Sequence, residues 1–132
     1  MNIARLWIVL SVATVSAASA QGIPVTISKR LAGWQCMALA SDYTTQGANA
    51  PLPPVYAGPE SSAPQVGTAG GVLIVPDPLH PTNGRTEMIW PNGKRVWIDV
   101  KLVTPWHSLN DPAAVCHPAL LSNGRYGFTT TG

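Results

Sequence analysis

Charge is scarce in this chain. Asp, Glu, Lys and Arg make up 11% of the 132 residues, and the formal net charge is only +2. Neutralising many phosphates needs a dense Lys/Arg face, and none is present, so nucleic acid is excluded as a partner. Cysteine occurs twice and Phe once. After the first twenty residues there is no long apolar run, so no insertion into a membrane is expected. Length allows one small domain and leaves no room for two. With 45% apolar residues, the chain carries too much hydrophobic surface to be wholly disordered. What it has in plenty is Pro (13) and Gly (12). Both interrupt helix interiors, which argues against a helical bundle.

The N-terminus reads as an address. Met1 to Arg5 carries the free amine and one Arg, Leu6 to Val15 is mostly apolar, and Ala18-Ser19-Ala20 supplies small residues where a signal peptidase cuts. Residues 1–20 are therefore predicted to be a secretory signal peptide cleaved after Ala20, which makes the mature protein periplasmic or secreted. The apolar run is too short to span a bilayer and is interrupted by Ser11 and Thr14.

Export decides how the two cysteines are read. Cys36 and Cys116 form an even pair in an oxidising compartment, which favours a disulfide. Closing such a long loop is worth roughly 4.5 kcal/mol in the chain-entropy model. One alternative is a metal site from Cys116, His117 and His107, but the paired CxxC or HxxxH spacing that zinc prefers is missing, so no metal or other cofactor is expected. A second alternative is an envelope hydrolase using Cys36 or Cys116 with a histidine, which requires a free thiolate. Ser61, Ser62, Ser108 and Ser122 lack a GxSxG setting. The acidic residues, Asp42, Glu60, Asp77, Glu87, Asp99 and Asp111, fall mostly in loops, where turn-capping is the default role. Gly70-Gly71 lacks the GKS/T ending and following helix of a phosphate loop. No catalytic set emerges, and the protein is expected not to be an enzyme.

Several short β-prone runs alternate with turn signals. Val55-Tyr56 is stopped by Gly58-Pro59, Val72 to Val75 is bounded by Pro76, and Thr86 to Trp90 leads into Pro91-Asn92-Gly93-Lys94. Asn-Gly is among the strongest short hairpin signals, and it recurs at Asn83-Gly84 and Asn123-Gly124. Arg95 to Val103 alternates with period two. Val96, Ile98, Val100 and Leu102 take one face, and Trp97, Asp99, Lys101 and Val103 take the other. Thr44 to Pro54 and Pro76 to Gly84 read as proline-rich loops, while Trp34 to Leu39 is too short to assign between strand and helical turn. These signals together predict an all-β barrel or sandwich.

Four stretches, Val55 to Glu60, Ala63 to Gly67, Val72 to Val75 and Asn92 to Ile98, resemble the bacterial SH3-like (SH3b) family over about residues 53–104. Tyr56 stands where that family commonly carries Arg. The resemblance implies a small SH3-like barrel at 53–104, flanked by irregular extensions at 21–52 and 105–132. The disulfide would tie the two flanks together and stabilise a barrel otherwise short of core. It also implies a binding role in the cell envelope, toward peptidoglycan or a peptide or protein partner. Tyr56, Trp90 and Trp106 are the candidate ligand-binding aromatics, and Trp97 occupies a core-like position. A rival reading is a small secreted inhibitor or accessory subunit of an envelope enzyme, with Pro76–Gly84 as its contact.

Overall fold

Three Asn-Gly pairs make three of the turns, by two different devices. At Asn83-Gly84 both residues have positive φ (51° and 75°), and Thr82 and Arg85 exchange backbone hydrogen bonds of 2.8 and 2.9 Å across them. This is the two-residue hairpin turn for which Asn-Gly is best suited. At Asn92-Gly93 and Asn123-Gly124 only the glycine is left-handed. There the Asn side chain accepts from the residue after the glycine, Lys94 N at 2.9 Å and Arg125 N at 3.0 Å. Each is a three-residue loop built on an ordinary turn followed by a left-handed glycine. Gly93 is doubly constrained, because a Cβ there would lie 3.0 Å from Tyr126 Cε2, whereas Gly33, also left-handed, faces open space. Gly93→Ala is expected to cost about 2 kcal/mol, against about 1 kcal/mol for Gly33→Ala. Thermal melts of the two variants compare them directly, and equal midpoints would remove the Tyr126 contact from the account.

The computed structural model describes residues 23–40 and 51–131. The expected signal peptide at 1–20 with its expected cleavage site, and most of the expected Thr44–Pro54 loop, lie outside the described residues. The described chain is all-β. Its strands are β1 (Ile27–Arg30), β2 (Trp34–Leu39), β3 (Pro54–Tyr56), β4 (Gln65–Thr68), β5 (Leu73–Pro76), β6 (Arg85–Ile89), β7 (Arg95–Asp99), β8 (Val103–Pro105), β9 (Val115–Leu121) and β10 (Tyr126–Thr131). They form two antiparallel sheets: seven strands ordered β4-β3-β7-β6-β5-β2-β8, and three ordered β1-β9-β10.

Alternation places the core. Thr86 and Met88 of β6 pair directly with Ile98 and Val96 of β7, so all four share one face, and all four are buried. Met37 and Leu39 of β2 join the same apolar cluster as Val55 of β3. Those two strands stand four places apart in the sheet, so the sheet must curl around the cluster. It curls without closing. Among the described residues β4 and β8 remain as edges, so the small barrel expected from the sequence is an open one. Thr86, the buried polar residue of this face, has its hydroxyl on the Glu87 carbonyl at 3.2 Å, so it leaves no unpaired donor inside.

Two corrections concern the flanks and the longest predicted strand. The extensions are not irregular. They supply β1, β2, β9 and β10, and β2 lies between β5 and β8 inside the larger sheet. The run Arg95–Val103 is not one strand. It breaks at Asp99, whose Oδ1 accepts from Lys101 N at 2.9 Å and caps a single 3-10 turn, Val100–Leu102. That turn carries the chain from β7, next to β3 and β6, to β8 at the sheet's far edge.

On the opposite face of the larger sheet, Cys36, Ile74 and Ile89 lie side by side across β2, β5 and β6, and all are buried. Here the smaller sheet is attached. Cys36 of β2 and Cys116 of β9 form the expected disulfide, with Cα atoms 5.9 Å apart. Between the sheets Tyr126 N donates to Pro91 O, while Leu31 N, donating to Pro118 O, extends the β1–β9 ladder within the smaller sheet.

Candidate functional site

The same opposite face, beyond the part near the disulfide, carries a row of aromatic and charged side chains. Tyr56 of β3 pairs in register with Trp97 of β7, Trp97 pairs with Glu87 of β6, and Arg85 pairs with Asp99. Directly paired residues share a face, so the hydrophobic alternation that buries Val96 and Ile98 also presents Trp97, Asp99, Arg85 and Glu87 outward. Two cations are stacked. The Arg85 guanidinium lies 3.6 Å from the Tyr56 ring centre, and that of Arg95 lies 4.7 Å from the Trp34 ring centre. Such contacts are worth about 0.5–1 kcal/mol when exposed and more when desolvated.

Arg85 is the best organised member. Its Nη1 donates to the carbonyls of Gly58 (3.1 Å) and Glu60 (2.6 Å), in the turn that follows β3. Arg95 Nη1 donates to Glu87 Oε1 at 2.6 Å, and this is the one ion pair among the described residues. Arg85, Lys101 and Asp99 therefore have no ion-pair partner there, although all three line one open groove of about 300 Å³ together with Tyr56, Asn83 and Gly84. That volume sits at the small end of ligand-sized clefts.

The three aromatics expected to form a ligand surface are not brought together. Tyr56 lines this groove. Trp90 instead packs against the main core on the other face, with its ring over Gly67, where a Cβ would fall 2.7 Å from Cη2. Trp106 follows β8 and borders a larger apolar groove of about 670 Å³ with Leu39, Val72 and Leu109. The assignment of Trp97 is corrected too. It is only partly buried and stands outside the core cluster, paired with Tyr56 on the groove face. Alternation along Arg95–Asp99 already placed Trp97 opposite Val96, and that was the signal for its position. Arg85 offered no comparable signal, because its partners on the turn after β3 lie some 25 residues earlier.

Nothing among known protein families, curated proteins or solved structures matches this chain.

Other chemistry is sparse around these positions. Both cysteine sulfurs are in the disulfide, so neither is a thiol nucleophile. His80 and His107 are exposed, and His117 Nε2 lies 2.9 Å from Thr131 Oγ1. Among the described residues no three His, Cys, Asp or Glu side chains gather as a metal site requires. No helix of the described residues is long and apolar enough to cross a membrane.

Proposed function

We propose that this protein is an exported, non-enzymatic SH3-like binding module of the bacterial cell envelope, holding peptidoglycan or a peptide of an envelope partner in the Tyr56–Arg85 groove. One observation carries the reading. Arg85 is fixed in advance by a ring and two carbonyls, on a sheet face that also carries a second partly exposed aromatic, Trp97, paired with Tyr56. Pre-ordered recognition groups bind well because little side-chain entropy is lost on contact. The Pro76–Gly84 loop adds Asn83 and Gly84 to the rim. A disulfide is consistent with an oxidising, exported location.

The test is a pull-down of the mature chain with purified sacculi and with envelope peptides, followed by tryptophan fluorescence. Wild type is expected to be retained, and Tyr56→Ala to lose at least tenfold in affinity with a small change in melting temperature. Retention that is indifferent to Tyr56 and Trp97 would sink this reading. The accessory-subunit alternative has its own supporting observation. Leu109, 91% exposed, lines the apolar groove with Leu39, Val72 and Trp106, a contiguous apolar surface of the kind that a protein partner covers. An enzyme that co-purifies with wild type and is lost with Leu109→Asp would favour that alternative.

A further inference from the structure

We propose that the Tyr56–Arg85 groove recognises the free carboxylate end of a peptide whose last residue carries an ammonium group. This rests on the groove being the binding site. The carboxylate follows from what Arg85 has left to offer. A guanidinium has five N–H donors, and the two on Nη1 account for the Gly58 and Glu60 carbonyls. Nε and Nη2 retain three donors, two of them parallel along one edge of the planar group, the geometry that matches a carboxylate with two parallel hydrogen bonds. The Tyr56 ring beneath the guanidinium fixes its plane, so the fork is oriented before any ligand arrives.

Lys101 lines the same groove and adds a second cation without an ion-pair partner. Asp99 determines which anion fits. It stands opposite Arg85 in register, lines the groove, and uses Oδ1 on Lys101 N, which leaves Oδ2 for a ligand. A fixed carboxylate repels a phosphate dianion more strongly than a singly charged carboxylate. It also provides a counter-charge for an ammonium. Two cations and one anion around a small groove complement a ligand of the opposite pattern, one carboxylate with one ammonium close by. A bare anion leaves Asp99 unsatisfied, and a bare cation leaves Arg85 and Lys101 unsatisfied.

The bland explanation is that Arg85 only braces the turn after β3 against β6. The two accounts differ at Lys101, whose ammonium has no ion-pair partner among the described residues, and at Asp99, whose Oδ1 caps the 3-10 turn, a role that asparagine keeps, while its charge and Oδ2 hold no brace. The experiment uses the mature wild-type protein, labelled with nitrogen-15 and titrated with acetyl-Ala-Ala-Lys as the free acid. Parallel titrations use its C-terminal amide, acetyl-Ala-Ala-norleucine as the free acid, and inorganic phosphate.

The free lysyl acid is expected to bind at least tenfold tighter than its amide and severalfold tighter than the norleucine acid. Shifts should be concentrated at Asn83–Arg85 and Asp99–Lys101. Lys101→Gln should reduce the acid-to-amide ratio, and Asp99→Asn the lysine-to-norleucine ratio, each with an unchanged melting temperature. Equal binding of acid and amide overturns the proposal, as does phosphate competing as well as the lysyl acid. Absence of any shift with all four probes overturns it as well. If in any of these cases the sacculi or peptide pull-down still depends on Tyr56, the binding-module reading survives and only the carboxylate assignment falls.

Discussion

Cys36→Ala/Cys116→Ala, or full reduction of the bond, is expected to lower the melting temperature by about 20 °C. The argument has two parts. The bond closes an 80-residue separation, which in the chain-entropy model is worth roughly 4.5 kcal/mol. For a domain of this size each kcal/mol moves the midpoint by about 4–5 °C, and total stability is only about 5–15 kcal/mol. The second part is positional. Cys36 belongs to the seven-stranded sheet and Cys116 to the three-stranded one, so the bond is a covalent tie between the two sheets in addition to the main-chain connections β1–β2 and β8–β9. Without it the smaller sheet is held by little more than the main chain, the Tyr126 N to Pro91 O hydrogen bond, and burial around Ile74, Ile89 and Ala119. Calorimetry measures the midpoint, and hydrogen exchange shows where order is lost. Amides of β9 and β10 should lose protection before those of β6 and β7. A midpoint within about 5 °C of the oxidised protein, or uniform loss of protection, would contradict this account.

Trp90→Ala is expected to cost about 3 kcal/mol, and Trp97→Ala only about 1 kcal/mol. The order follows from the faces of the sheet. Trp90 packs on the core cluster and covers Gly67, so truncation removes apolar contacts and opens a void beside Val55 and Val66. Trp97 lies on the groove side with part of its ring in water, so its loss is cushioned by solvent. Denaturant unfolding of the two variants tests the order. Ligand binding should show the reverse pattern, with Trp97→Ala weakening retention on sacculi or peptide more than Trp90→Ala does. If Trp97→Ala is the more destabilising of the pair, the assignment of faces is wrong.

The local features were legible because they depend on a few neighbouring residues. All three Asn-Gly pairs turn the chain, since asparagine and glycine tolerate the backbone angles such turns need. Val96 and Ile98 are buried as their alternation required. β4 was hidden because Gly67 looks like a bend, whereas here the missing side chain makes room for Trp90. β9 was hidden by Pro118, which cannot donate to a ladder. Its carbonyl nonetheless accepts from Leu31 N, and the strand continues on either side. The Arg95–Val103 run kept its period through a corner, because the 3-10 turn at Val100–Leu102 interrupts the strand without interrupting the pattern.

The candidate site was legible only in fragments. Tyr56 was singled out, and alternation put Trp97, Asp99 and Lys101 on one face, although Trp97 was expected in the core. Their union with Arg85, Asn83 and Gly84 was not, because it requires β3, β6 and β7 to lie side by side.

Composition, turn chemistry and a lone pair of cysteines were enough to specify an all-β chain closed by one cross-link, since each acts through nearest neighbours or simple counting. The order of the strands, the insertion of β2 between β5 and β8, and the choice of which tryptophan faces inward required the folded molecule. Those outcomes depend on which apolar faces meet across long sequence separations, and two faces of similar hydrophobicity cannot be ranked until the sheet has curled around one of them.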